Sequence, residues 1–137
     1  DDPVVALLNY NFRQGTFFYS SYQQELSISF YRYDLSTVMG EYPLITVQQA
    51  KDALDEGYFV SSCVEPYTGT ETICRVELVY RHAPWDTVFV PYYKFYIETL
   101  PPLAAELGMK TYTTCYVPAV ERQYIDGLPL WDGSLNG

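Results

Sequence analysis

Residues 45–59, ITVQQAKDALDEGYF, constrain the fold more than any other part of this 137-residue chain. Thr46 is followed three residues later by Gln49, which is the pattern of a capping box, where each side chain satisfies a backbone N–H at the helix start. Gly57 stands where a left-handed residue commonly ends a helix. A helix this short is marginal in water, so we expect packing against a sheet to hold it.

The helix is predicted to carry one narrow apolar stripe. Val47, Ala50 and Leu54 recur at the spacing of a single helix face. Charged residues, among them Lys51 and Asp52, occupy the opposite side. The stripe is therefore the surface that we expect to cover the sheet.

The rest of the chain is typical of β-structure. The predicted strands are residues 26–33, 58–64, 72–81, 86–99 and 110–120, whereas residues 1–25 are consistent with strands or irregular packing. We predict a single domain over residues 1–137 with an α+β fold. A curved antiparallel sheet would pack against one main helix at residues 46–56, with a short helical turn at residues 103–107. Pro91 lacks an N–H and predicts an edge or a bulge in its strand.

Two of the predicted strands could form a hairpin around Thr68 and Gly69. A two-residue turn there would place Phe59 opposite Leu78, and it would also place Cys63 opposite Cys74. A disulfide between Cys63 and Cys74 is compatible with the spacing of paired strands. Two reduced, buried thiols fit the sequence as well.

The charge of the chain excludes some classes of partner. Seventeen acidic residues against eight basic ones give a net charge of −9. Such a chain lacks the cations that neutralise nucleic-acid phosphates, so we expect no nucleic-acid binding. No apolar run reaches the roughly 20 residues that span a bilayer. Because the chain opens without methionine, we expect membrane attachment only through an upstream signal or anchor.

Candidate catalytic and metal-binding groups are sparse. The lone His82 and the spacing of the three cysteines match no zinc pattern, so we expect no cofactor or metal. Cys115 and His82 could form a thiolate–imidazole pair, but no helix start or glycine-rich turn accompanies Cys115. Glu77 and Glu98 could act as a carboxylate pair only if the fold brought them together. We therefore expect a protein that is not an enzyme.

The aromatic residues are the best candidates for a binding surface, since the chain contains 15 tyrosines. Tyrosine and tryptophan combine a large apolar ring with a polar group, and both are enriched at interfaces. We predict that Trp85, Tyr92 and Tyr96 contact a protein or peptide partner from an exposed sheet face. Alternatives are a carbohydrate-binding module that uses the same rings and, less favoured, a hydrolase.

An ordered set of positions resembles the PepSY-like and YycH/YycI-type extracytoplasmic domains of Gram-positive envelope proteins. The set comprises Ile45, Thr46, Ala50, Leu54, Gly57, the segment VELVY at 76–80 and the segment PYYKFY at 91–96. The resemblance covers residues 45–98 and leaves residues 1–40 unmatched. The resemblance implies an extracellular or cell-envelope location and a non-catalytic function in which the protein contacts envelope proteins. It is also compatible with a lipoprotein of unknown function.

Overall fold

The computed structural model describes residues 15–22, 24–30, 37–61, 67–81, 88–99, 102–128 and 130. The chain divides into two compact units, residues 1–41 and 42–137. The division lies next to residue 40, where the unmatched N-terminal region was expected to end. A single folding domain stays a prediction, because the compactness of a segment does not show that it folds independently.

The first unit contains an antiparallel hairpin of β1 (Gly15–Ser20) and β2 (Glu25–Phe30). Gln24 precedes β2 with a φ of 52°, the left-handed conformation that a tight turn requires. The sequence left residues 1–25 open, and the structure assigns β1 to part of them. One face of the hairpin is apolar and exposed, with Phe17, Tyr19, Leu26 and Ile28.

The second unit is built on a four-stranded antiparallel sheet. The strands are β3 (Val60–Ser61), β4 (Ile73–Arg81), β5 (Val90–Thr99) and β6 (Thr111–Pro118), in the order β3–β6–β5–β4. The helices are α1 (Val47–Asp55), the short α2 (Pro102–Glu106) and a 3₁₀ helix (Arg122–Tyr124). The predicted α+β fold, with an antiparallel sheet packed against one main helix, is confirmed.

Both ends of α1 carry the caps that its sequence predicts. The Gln49 N–H donates to Thr46 Oγ1 over 3.2 Å, and the Thr46 N–H donates to Gln49 Oε1 over 2.8 Å, which completes the capping box. At the other end Gly57 has a φ of +80°. The Tyr58 N–H then donates to the Ala53 carbonyl over 2.9 Å, as in a Schellman motif. Helix α1 therefore begins and ends where local chemistry requires.

The buried stripe of α1 differs from the prediction at two positions, because Ala53 joins it and Val47 does not. Ala50, Ala53 and Leu54 are buried, whereas Val47 is 48% exposed. The helix contacts the sheet through its last two turns, so Val47 in the first turn lies beyond the contact. The core formed in this way combines helix residues with residues from the sheet and adjoining segments: Ala50, Ala53, Leu54, Phe59, Tyr67, Phe95, Ile97, Cys115 and Val117.

The predicted hairpin around Thr68 and Gly69 is wrong. Strands β3 and β4 lie at opposite edges of the sheet, so Phe59 does not face Leu78. Instead β3 pairs with β6, and β4 pairs with β5, where Leu78 lies opposite Tyr93. Alternation along a strand identifies its two faces but does not specify its neighbour, which explains the error.

Pro91 lies in an inner strand and in regular register with β4, so the predicted edge or bulge at this position is also wrong. It is the second residue of β5 and pairs with Tyr80 of β4. The β5–β6 ladder begins only at Tyr92, opposite Pro118. The Pro91 carbonyl still accepts a hydrogen bond from the Ala119 N–H over 2.8 Å. The position near the strand start tolerates a residue that cannot donate to the ladder.

Candidate functional site

The candidate site is the face of the four-stranded sheet that α1 does not cover. Phe95, Ile97, Cys115 and Val117 point toward α1 as part of the core. Successive side chains of a strand point to opposite faces, so their neighbours in β5 and β6 point away from the helix. We call the surface that these neighbours form with β4 the open face: Arg75, Glu77, Arg81, Lys94, Tyr96, Glu98, Tyr112, Thr114 and Tyr116.

Cations and tyrosine rings alternate across the open face. The Arg75 guanidinium lies 5.8 Å from the centroid of the Tyr96 ring. Lys94 Nζ lies 4.6 Å from the Tyr96 centroid and 5.7 Å from that of Tyr116. The Arg81 guanidinium lies 5.8 Å from the Tyr116 centroid. We call these five residues the cation–tyrosine row.

Strand pairing produces most of the cation–tyrosine row. Arg75 lies opposite Tyr96 in the β4–β5 ladder, and Lys94 lies opposite Tyr116 in the β5–β6 ladder. Lys94 and Tyr96 are two residues apart on β5 and therefore share a face. Cation–π contacts at exposed sites contribute about 0.5–1 kcal/mol each. The contacts of the row therefore also restrict the conformations of its long lysine and arginine side chains.

One carboxylate is bound within the cation–tyrosine row. The Tyr96 hydroxyl donates to Glu77 Oε2 over 2.8 Å, and Arg75 forms an ion pair with the same Glu77 carboxylate. Partial burial lowers the pKa of Lys94, but its polar interactions with the Tyr96 and Tyr116 side chains outweigh this, so the pKa of Lys94 lies above its usual value. Lys94 is therefore charged throughout the neutral range.

The structure describes two of the three predicted contact residues, and their environments differ. Tyr96 is half-buried on the open face. Tyr92 shares that side of β5, but it is only 5% exposed and does not present its ring to solvent. Trp85 lies outside the described residues. The binding role of Trp85, Tyr92 and Tyr96 stays a prediction.

Three residues of the cation–tyrosine row were not predicted from the sequence: Lys94, Arg81 and Tyr116. Lys94 stands between Tyr92 and Tyr96 in the period-2 pattern of PYYKFY, which could have identified it as a neighbour of Tyr96. No local signal connects Arg81 or Tyr116 to this row, because the connection runs through β5, which separates their strands.

The strand pairing that suggested a Cys63–Cys74 disulfide is not formed, because β3 and β4 lie at opposite edges of the sheet. Cys63 lies outside the described residues, so a Cys63–Cys74 bond stays a prediction. Cys74 sits at an irregularity between Ile73 and Arg75, where the β4–β5 register shifts. This bulge interrupts the alternation of side chains along β4, and Cys74 is exposed, with no disulfide to any described residue. Its Sγ lies 3.7 Å from a carboxylate oxygen of Glu98.

The structure describes three of the four residues considered for catalysis. Cys115 is fully buried in the core, and His82 lies outside the described residues. Glu98 is on the open face, where Lys110 forms an ion pair with it over 3.1 Å. Glu77 is bound by the groups of the cation–tyrosine row described above. A carboxylate pair made of Glu77 and Glu98 would have to break these contacts before acting on a substrate.

A cleft of about 250 Å³ lies between α1 and the segment after β6. Arg122 Nη2 lies 2.5 Å from Glu56 Oε2, and its guanidinium stacks 4.1 Å from the Tyr58 ring centroid. Burial raises the pKa of Tyr58, and the Arg122 charge opposes this only in part. Arg122 thus connects the 3₁₀ helix with the end of α1. The other lining residues include Ile45, Gln49, Asp52, Ala53, Val117, Pro118, Val120 and Glu121.

Neither a metal centre nor a membrane helix is present in the part of the chain that the structure describes. Within these ranges no three His, Cys, Asp or Glu side chains are grouped so that they could hold a metal ion. No helix there is both long and apolar enough to cross a membrane. Comparison of the chain with protein-family models, curated proteins and solved structures finds no match. The resemblance to PepSY-like and YycH/YycI-type domains stays a prediction.

Proposed function

We propose that this protein is a non-catalytic binding domain that recognises a protein or peptide partner through the open face of its sheet. The observation that carries the proposal is the cation–tyrosine row, in which charged groups are held against aromatic rings on the side of the sheet opposite the helix. Tyrosine and arginine are enriched at the energetically important positions of protein interfaces.

The contacts of the row favour a protein partner over a sugar. A carbohydrate stacks on the exposed face of an aromatic ring, but Tyr96 and Tyr116 each already contact two cations. A sugar would have to displace at least one of these contacts. A peptide can instead add hydrogen bonds and ion pairs to the cations while its apolar side chains pack beside the rings. Tyr112, at 53% exposure, extends the aromatic surface.

The exposed apolar face of the β1–β2 hairpin supports the same class of function. Contiguous apolar surface on a soluble protein commonly marks a site of protein contact. The proposed location outside the cytoplasm, as a secreted or envelope-anchored protein, rests on the resemblance of residues 45–98 to extracytoplasmic domains. That resemblance also implies that the protein acts through contacts with other proteins, which is the role proposed here for the open face.

A peptide-display selection tests the proposal and does not require the partner to be identified first. The full 137-residue chain is immobilised, and a library of random peptides, each about 12 residues long, is selected on it. The affinity of each enriched peptide is then measured by fluorescence anisotropy for wild type, Tyr96→Ala and Tyr116→Ala. The matched control is Tyr124→Ala, which removes an exposed tyrosine from the 3₁₀ helix.

We expect that Tyr116→Ala and Tyr96→Ala weaken binding about tenfold or more, since truncation of a hot-spot residue costs about 2 kcal/mol or more and about 1.4 kcal/mol is tenfold in affinity. Tyr124→Ala should bind like wild type. Circular dichroism confirms that each variant is folded. The proposal fails if no peptide is enriched over bare support, or if the three tyrosine variants bind equally well. Binding of neutral glycans on an array, without peptide binding, would favour the carbohydrate-binding alternative.

A further inference from the structure

The cations of the described residues fall into two groups. The six are Lys51, Arg75, Arg81, Lys94, Lys110 and Arg122. Four form ion pairs with a carboxylate of the chain. Within the described residues, Arg81 and Lys94 have no carboxylate partner, and both lie over the ring of Tyr116.

This lack of a carboxylate is notable because the chain is so acidic, with 17 aspartates and glutamates against eight lysines and arginines. Glu77 even lies directly opposite Lys94 in the β4–β5 ladder. Its carboxylate is nevertheless bound by Arg75 and the Tyr96 hydroxyl. Lys94 is directed onto the two tyrosine rings instead. Its ammonium and the Arg81 guanidinium therefore retain donors that an outside carboxylate can accept.

Resting on the proposed function, we infer that the open face binds an acidic peptide segment, in which two carboxylates pair with Lys94 and Arg81 around Tyr116. The two distances to the Tyr116 centroid limit the separation of the charged groups to about 11.5 Å. Side chains two residues apart on an extended peptide are separated by about 7 Å. Two acids separated by one residue, with flexible side chains, fit this span.

The net charge of the protein limits which acidic peptides can bind to the open face. At a net charge of −9 the chain repels a uniformly acidic partner, although salt at physiological strength screens charges beyond a Debye length of about 8 Å. Short-range pairing on the open face must therefore provide the attraction. A local pair of acids, flanked by apolar or aromatic residues that pack against tyrosine, satisfies both conditions.

The probe is again the library of random peptides on the full chain, with the enriched sequences now compared for acid content. Enriched peptides are resynthesised with each acid changed to its amide, and every peptide is titrated against wild type, Lys94→Gln and Arg81→Gln. Lys94→Arg retains the charge at the site. Lys51→Gln is the matched control, since it removes one positive charge from an exposed position on α1.

We expect enriched peptides to contain a pair of acids, and Lys94→Gln and Arg81→Gln each to weaken binding about tenfold. Changing the paired peptide acid to its amide should weaken binding to wild type but add little in the variant that lacks its cation partner. Lys94→Arg should recover most of the affinity, and Lys51→Gln should lose none.

Four results would overturn the inference in different ways. Enriched peptides without acids that still depend on Tyr116 would refute the acidic ligand and leave the proposed function standing. Equal losses of peptide affinity for Lys51→Gln and Lys94→Gln would show that the net charge of the protein, and not the position of Lys94, accounts for the effect. An absence of enriched peptides would refute the proposed function itself, and binding of a uronic-acid polymer alone would replace the peptide by an acidic glycan.

Discussion

The hydroxyl of Thr113 provides the sharpest test of the packing described above. Thr113 lies in the middle of β6 and is only 4% exposed, and its Oγ1 has no hydrogen-bond partner among the described residues. A buried hydroxyl without a hydrogen bond costs about 1–3 kcal/mol relative to water. Thr113→Val replaces the hydroxyl by a methyl group of similar shape and keeps the β-branch that favours a strand. We expect the free energy of unfolding to rise by about 1 kcal/mol.

Thr111 offers a matched control on the same strand and the same face. Its Oγ1 donates to the Thr99 carbonyl over 2.8 Å and lies 3.0 Å from the Thr99 hydroxyl. Thr111→Val removes these hydrogen bonds and leaves the Thr99 groups without them. We expect the free energy of unfolding to fall by about 1 kcal/mol. One chemical change, two residues apart, should thus have opposite effects.

Urea unfolding followed by tyrosine and tryptophan fluorescence measures both variants. The urea concentration at the unfolding midpoint should rise for Thr113→Val and fall for Thr111→Val. The slope of the free energy of unfolding against urea concentration should stay unchanged. For a domain of this size, 1 kcal/mol corresponds to a shift of about 3–6 °C in Tm. If Thr113→Val destabilises the protein as much as Thr111→Val does, the Thr113 hydroxyl is hydrogen-bonded in solution and the reasoning fails.

Two further predictions concern α1 and its surroundings. Thr46→Ala removes the capping-box acceptor and should lower the free energy of unfolding by about 1 kcal/mol in urea titrations; an unchanged value would show that the cap is not formed. Tyr67→Phe removes the 2.8 Å hydrogen bond to Asp55, whose pKa is lowered by hydrogen bonds from Lys51 first and Tyr67 second. A lowered folded-state pKa stabilises the protein above the ordinary aspartate pKa of 3.8, so Tyr67→Phe should lower the free energy of unfolding by about 0.5–1 kcal/mol at pH 7. This loss should disappear as the pH falls below 3.8 through the lowered pKa of Asp55, and a loss that does not depend on pH would refute the prediction.

The sequence alone located the elements whose signals are local. The capping box of Thr46 and Gln49 and the left-handed Gly57 act within a few residues, and they predicted both ends of α1. The later strands and the short helix near residue 103 were also predicted, since alternation and turn residues act over similarly short distances. These local signals were enough for the α+β class.

The tertiary structure alone decided which strands are neighbours. The sequence favoured a hairpin of residues 58–64 with 72–81, but β3 and β4 are separated by two other strands. It also could not predict the bulge that exposes Cys74, because a bulge depends on the partner strand. The burial of Tyr92 and the partial exposure of Tyr96, on one side of one strand, likewise depend on what packs around each position.

The open face shows the same division. Its individual residues can be read from the sequence as alternating positions in β4, β5 and β6. Only the order β6–β5–β4 places Lys94 and Arg81 over Tyr116 and brings the Tyr96 hydroxyl to the Glu77 carboxylate. The physical reason is that a strand encodes its two faces in its own side-chain pattern, whereas its neighbours are selected by the free energy of the whole packed sheet.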